Sequence, residues 1–68
     1  MNIYYDRCRN EIKEGLDIRC SLNGEVEIVR ANGVDLGIYG NLFGTDLTFI
    51  SLMAFATDDL VLENFEII

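Results

Sequence analysis

Residues 17–39, DIRCSLNGEVEIVRANGVDLGIY, carry two Asn-Gly pairs nine positions apart, between runs in which apolar and polar residues alternate. A period of two is typical of strands that bury one face. Asn-Gly is a strong signal for the tight turn that joins two such strands. The stretch therefore predicts a three-stranded antiparallel meander, with strands over roughly 17–21, 25–30 and 34–39.

The turn lengths decide which side chains of the meander share a face. A two-residue loop at Asn23-Gly24 would set Cys20 opposite Glu27 and mix apolar with charged residues. A three-residue loop over 22–24 sets Cys20 opposite Val26. A three-residue loop over 31–33 likewise sets the apolar residues of the second and third strands opposite each other. Both loops place a glycine, Gly24 or Gly33, at positive φ. The predicted core face is Ile18, Cys20, Val26, Ile28, Leu36 and Ile38, and the other face pairs Arg19 with Glu27.

The residues before the meander show a helical period. Apolar side chains recur at steps of three or four positions, at Tyr5, Cys8, Ile12 and Leu16. This stripe predicts a helix over 3–14 that packs on the sheet, ended by Gly15 as a positive-φ C′ residue. Cys8 and Cys20 then both face the core, as reduced thiols of a cytosolic protein.

The second half of the chain is harder to divide into elements. Residues 40–44 are interpreted as a loop with exposed apolar residues. The apolar stretch 47–56 predicts a strand buried on both sides, with a buried helix as the alternative. Thr57 is placed as the cap of a short helix through Val61, and residues 65–68 as a final strand. The expected fold is α+β in a single domain, 1–68: an N-terminal helix on an antiparallel meander sheet, then a short C-terminal helix and a final strand.

Composition narrows the function classes. The chain has 68 residues, twelve acidic and five basic, for a formal charge of −7, and all five basic residues lie in the first thirty positions. Such a chain repels nucleic-acid backbones and anionic lipids, so neither DNA or RNA nor a membrane is expected as a partner. No signal peptide or membrane span is recognised, which favours the cytoplasm.

The inventory of reactive side chains favours a binding protein over an enzyme. The chain has no histidine, so nucleophile arrangements that need an imidazole are unavailable. No phosphate-binding glycine loop and no metal-ligand spacing is present, and neither a cofactor nor a metal is predicted. The Asp58-Asp59 pair is explained by helix capping without catalysis. No catalytic residue is assigned.

Both ends of the chain resemble a family of small phage and prophage proteins, the Thoeris anti-defence type 2 sponges, whose relatives act against cyclic-oligonucleotide (CBASS) signalling. In the segment 57–68, TDDLVLENFEII, five residues match the family's C-terminal signature: Asp59, Leu60, Glu66, Ile67 and Ile68. Phe65 stands where that signature has tryptophan. Near the start, residues 11–15 with Ile18-Arg19 resemble the family's segment that ends in an arginine.

The resemblance implies that the protein sequesters a cyclic nucleotide or ADP-ribose-derived immune signal in the host bacterial cytoplasm, without cleaving it. It also implies a homo-oligomer, a dimer or tetramer. The matched motif positions carry over two site residues: Arg19, which would pair with phosphate, and Asp59, which would supply a polar contact. The predicted loops add Tyr39 or Phe43, which would stack on a base, and Asn23 and Thr57 as further polar contacts.

Two other function classes stay open. An acidic protein–protein inhibitor that mimics nucleic acid is suggested by residues 31–68, which hold six acidic residues and no basic one. Such a mimic needs acids spaced along one surface, whereas a sponge needs a concave site containing Arg19. A structural or interaction module without a small ligand is the third class.

Overall fold

The computed structural model describes residues 2–40 and 48–68, and the regular structure in this part of the chain consists of short antiparallel strands and one 3₁₀ turn. The predicted α+β class is wrong, because no α-helix occurs among these residues. The strands are β1 (Tyr4–Tyr5), β2 (Glu11–Ile12), β3 (Asp17–Cys20), β4 (Val26–Ile28), β5 (Arg30–Asn32), β6 (Asp35–Gly40), β7 (Thr48–Ser51) and β8 (Phe65–Ile67), with a 3₁₀ turn at Leu52–Ala54.

The N-terminal segment is a β-hairpin rather than the predicted helix over 3–14. Tyr4 pairs with Ile12 and Tyr5 with Glu11. The carboxylate of Asp6 explains the difference, because its Oδ1 accepts the backbone N–H of Cys8 and of Asn10, both at 2.9 Å. Local side-chain bonds of this kind compete with the helical hydrogen-bond pattern. Cys8 is consequently exposed, contrary to the prediction, whereas Cys20 is buried as predicted, and both are free thiols.

One sheet has the strand order β4-β3-β8, and its register differs from the predicted one by one residue. Ile18 lies opposite Glu27 and Arg19 opposite Val26. The loop is longer than predicted: the Cys20 N–H already donates to the Glu25 carbonyl, so residues 21–24 form the connection. Side chains on one strand alternate between faces, so this slip turns Val26 outward, where 49% of it is exposed.

The predicted middle strand, 25–30, is divided between two sheets at Val29. Val29 is fully buried, its N–H donates to the Leu16 carbonyl and its own carbonyl accepts the Gly15 N–H. Beyond it β5 joins a second sheet, of order β5-β6-β7. The single meander and the core-facing places given to Val26 and Ile28 are therefore wrong, since Val29 occupies the core instead.

The β5–β6 turn, in contrast to the β3–β4 loop, is shorter than predicted. Asn32 pairs with Asp35, so the loop consists of Gly33 and Val34 rather than three residues. The positive φ expected at Gly24 and Gly33 is confirmed, at 75° and 65°. At the β5–β6 turn only the first central residue has positive φ, which is the pattern of a type II′ hairpin turn.

Of the four element predictions in the second half of the chain, one is confirmed and two are wrong, and the loop over 40–44 lies outside the described residues except for Gly40, the last residue of β6. Residues 48–56 change from a half-buried strand to a 3₁₀ turn, so they are neither a doubly buried strand nor a helix, and Leu47 lies outside the described residues. Thr57 begins a turn instead of a helix: its N–H donates to the Val61 carbonyl and its Oγ1 accepts the Val61 N–H. The final strand is confirmed as β8, paired with β3.

The core lies between the two sheets and the N-terminal hairpin. Tyr4, Ile12, Ile18, Val29, Ile38, Leu52 and Leu62 are almost completely buried. Phe55 packs edge-on against Phe65 with ring centroids 5.1 Å apart. Within residues 2–40 and 48–68, no helix has the length and apolar character needed to cross a membrane.

Candidate functional site

A shallow groove lies on the outer side of the bent strand 26–32, where β4 and β5 meet β6. Its volume is about 250 Å³, and we call it the Tyr39 groove. The residues that line it are Val26, Glu27, Ile28, Arg30 and Tyr39.

The strand registers explain why these side chains meet. Val26, Ile28 and Arg30 are alternate residues of one extended segment and share its outer face. Arg30 pairs with Gly37, and Tyr39 lies two positions further along β6, on the same face as Gly37. The exposed apolar residues of β4 thus continue directly into an arginine and an aromatic ring.

The ring of Tyr39 is fixed from behind by a second aromatic residue. Phe49 lies opposite Tyr39 on β7, and their rings pack edge-on with centroids 5.4 Å apart and planes at 65°. The Phe49 ring extends over Gly37, where a Cβ atom would lie 2.5 Å from Phe49 Cζ. Glycine at position 37 therefore permits the aromatic pair, while 45% of the Tyr39 surface stays exposed.

Arg19 extends this surface on the neighbouring strand. It lies opposite Val26 in the β3–β4 register, so the two side chains share a face. Its guanidinium pairs with Glu66 Oε1 at 3.4 Å, with half of the Arg19 side chain exposed. The prediction that Arg19 pairs with Glu27 is wrong, because the one-residue slip places Glu27 opposite Ile18.

The electrostatics of this surface differ from those of the whole chain. Two of the five basic residues, Arg19 and Arg30, lie on it, beside Glu27 and Glu66. Its formal charge is therefore balanced in a chain of net charge −7. Arg30 is exposed, and no ion pair joins it to a carboxylate within the described ranges.

The aromatic ring, the two arginines and the apolar side chains on this surface can together bind one kind of ligand. An exposed aromatic ring offers a stacking face to a planar ring system. A guanidinium presents donors in a fork that matches phosphate or carboxylate oxygens. Val26 and Ile28 supply apolar contact between the two arginines. The groove is suited to a flat ligand that carries negative charge.

The other residues predicted for the site lie elsewhere. Asn23 is in the β3–β4 loop, where its Oδ1 accepts the Glu25 N–H at 2.9 Å. Thr57 stabilises the turn before β8, and Asp59 is exposed on that same turn. Neither turn lines the Tyr39 groove. Phe43 lies outside the described residues.

Sequence reasoning missed Arg30, Phe49 and the outward positions of Val26 and Ile28. The sequence does contain a signal for these outward positions, in the run 26–30. Ile28 and Val29 are adjacent apolar residues on opposite faces of the strand, so either face could be the core face. Choosing Val29 as the buried residue would have placed residues 26, 28 and 30 together on the outer surface.

Comparison of the chain with protein-family models, with curated proteins and with solved structures finds no significant match.

Proposed function

We propose that this protein binds and sequesters a nucleotide-like immune signal, a cyclic nucleotide or an ADP-ribose derivative, as a phage anti-defence protein. The observation that carries the proposal is the exposed ring of Tyr39 beside the guanidinium of Arg30 in one groove. The resemblance of both chain ends to phage sponge proteins supports the same class of ligand.

Each residue of the groove has a proposed role. Tyr39 stacks on the base or nicotinamide-like ring, held in place by Phe49. Arg30 pairs with one phosphate, and Arg19 exchanges its exposed contact with Glu66 for a second phosphate. Such an exposed ion pair contributes under about 1 kcal/mol, so its loss is a small cost of binding. The family resemblance also assigns Arg19 to the ligand, together with Asp59, which does not line this groove.

The proposal is sequestration rather than turnover. The chain has no histidine to act as a general base near neutral pH, and its single lysine, Lys13, does not line the Tyr39 groove. The ligand is therefore expected to leave the protein chemically unchanged. A homo-oligomer is proposed as the binding form, because three large side chains on one face of so short a chain, Val26, Ile28 and Tyr39, are 49%, 43% and 45% exposed.

Calorimetry against a panel of cyclic dinucleotides and cyclic ADP-ribose isomers tests the proposal. Wild type is compared with Tyr39→Ala, Tyr39→Phe and Arg30→Ala, and with Arg7→Ala as a charge-matched control outside the groove. We expect Arg30→Ala and Tyr39→Ala to weaken binding at least tenfold, or about 1.4 kcal/mol. Tyr39→Phe, which keeps the stacking face, and Arg7→Ala should bind like wild type.

Bound ligand is then released by heat and analysed by chromatography. Recovery of intact ligand supports sequestration, whereas a cleaved product would make the protein an enzyme. If no member of the panel binds wild type, the nucleotide proposal fails and the acidic protein–protein inhibitor takes its place. Light scattering at micromolar concentration, with and without ligand, tests the homo-oligomer.

A further inference from the structure

A second concave surface lies between the N-terminal hairpin and the β5–β6 turn. Two adjoining cavities of about 300 and 410 Å³ share Asn2, Val34 and Asp35 as lining residues. We call them together the Val34 groove. It lies on the opposite face of β5 from the Tyr39 groove, because Ala31 lines the former and Arg30 the latter.

The Val34 groove exposes large apolar side chains that the fold does not require. Val34 is 73% exposed at the second central position of a two-residue turn, and Ile3 and Met53, at other points of the groove, are each 47% exposed. Small polar residues are the usual occupants of hairpin turns. Clustering of exposed apolar residues around one concavity is typical of a binding surface.

The charges around the groove select the kind of partner. Its lining contains three carboxylates, on Glu11, Glu14 and Asp35, and one cation, on Lys13. Asp35 is fixed in place, since its Oδ1 accepts the Tyr4 hydroxyl and the Leu36 N–H, both at 3.0 Å. This acidic rim attracts cations, and it opposes a second copy of a chain whose net charge is −7.

We propose that the Val34 groove docks a segment of a partner polypeptide in which an apolar side chain is flanked by arginine or lysine. The apolar side chain enters between Ile3, Val34 and Met53, and the flanking cations reach Glu11 and Glu14. This interaction is independent of the nucleotide proposal, because the two grooves share no lining residue.

The probes are three capped hexapeptides, titrated into ¹⁵N-labelled full-length protein and followed by amide chemical shifts. The first has the sequence Gly-Arg-Leu-Leu-Arg-Gly; the second replaces both arginines with glutamate, and the third replaces both leucines with serine. We expect the first peptide to shift the amides of Ile3, Ile12, Val34 and Leu36. The other two should bind at least tenfold more weakly, and added salt should weaken the first.

Two valine variants provide a matched comparison. Val34→Ser removes an exposed valine from the Val34 groove and should weaken binding of the first peptide at least fivefold. Val26→Ser removes an exposed valine from the Tyr39 groove and should leave binding unchanged. Equal binding of the glutamate peptide, shifts confined to the Tyr39 groove, or no shifts at all would overturn the proposal. Concentration-dependent broadening at Val34 without peptide would overturn it as well, because a second copy would then occupy the groove.

Discussion

The side-chain carboxylate of Asp6 accepts a hydrogen bond from the backbone N–H of Ile67, 61 positions later in the chain, at 3.0 Å. The same carboxylate holds the amides of Cys8 and Asn10 through its other oxygen, and only 1% of the residue is exposed. One side chain therefore shapes the N-terminal hairpin and fastens it to the last strand. Asp6 is the one buried charged residue among those that the structure describes.

Asp6→Ala should lower the free energy of unfolding by about 3 kcal/mol, because three partly buried N–H groups lose an ionic acceptor. Asp6→Asn should lower the free energy of unfolding by about 2 kcal/mol, since its amide keeps one oxygen but places a donor against the Ile67 N–H. Urea denaturation measures both. Asp58→Asn, on an exposed turn, is the charge-matched control, and equal stability of Asp6→Asn and Asp58→Asn would contradict the role of Asp6.

Gly37→Ala should destabilise the protein by about 1–3 kcal/mol, the usual cost of overfilling a packed site. The added Cβ would meet the Phe49 ring and the Ile50 carbonyl oxygen. Thermal unfolding checks the loss, and near-ultraviolet circular dichroism reports on the Tyr39–Phe49 pair. Gly37→Ala should cost less in a Phe49→Ala background than in wild type, because the ring is gone, but it should still be destabilising there, because the Ile50 oxygen remains. An unchanged melting temperature of Gly37→Ala would refute the close approach.

Replacing Gly24 or Gly33 with valine should cost about 1–2 kcal/mol or more, because a β-branched residue is strained at positive φ. Neither glycine has a neighbour within 4 Å of an added Cβ, so the loss would come from the backbone alone. Asparagine tolerates this region better and should cost less at either site. Denaturant titration of the four variants measures these losses. If the valine variants were as stable as the asparagine variants, the result would contradict the observed turn geometry.

Arg19→Ala should change the free energy of unfolding by less than about 1 kcal/mol, since its contact with Glu66 is exposed and screened by salt. The same variant should weaken binding of a nucleotide ligand clearly more than Arg7→Ala does. Comparing melting temperatures with calorimetric affinities separates the two effects. A large drop in stability would instead make Arg19 a structural residue of β3.

The local chemistry of the turns could be predicted from sequence, whereas the long-range registers could not. The two Asn-Gly pairs correctly predicted the positions of both turns and the positive φ at Gly24 and Gly33, because the preference for positive φ is a property of glycine itself. Turn length depends on which apolar residues the core accepts. Ile28 and Val29 compete for one place, and only packing against the rest of the chain decides for Val29.

The prediction of an N-terminal helix was wrong for a related reason. A spacing of three and four positions also arises by chance in a hairpin, and here the buried residues are Tyr4 and Ile12, which face each other across two strands. The decisive group is Asp6, a polar residue that no apolar pattern marks. Of the candidate site, Arg19 and Tyr39 were predicted and do lie on one continuous surface, whereas Arg30 became visible only with the corrected register.

The bend at Val29 has a consequence for how the folded protein opens. The segment 26–32 supplies β4 to one sheet and β5 to the other, and its buried midpoint, Val29, is hydrogen-bonded to Leu16 and Gly15. Neither sheet can detach without pulling on the other, so the two should form one cooperative unit in amide hydrogen exchange. The Val29 amide should be among the slowest to exchange, and slow exchange there should accompany equally slow exchange in β3 and β6.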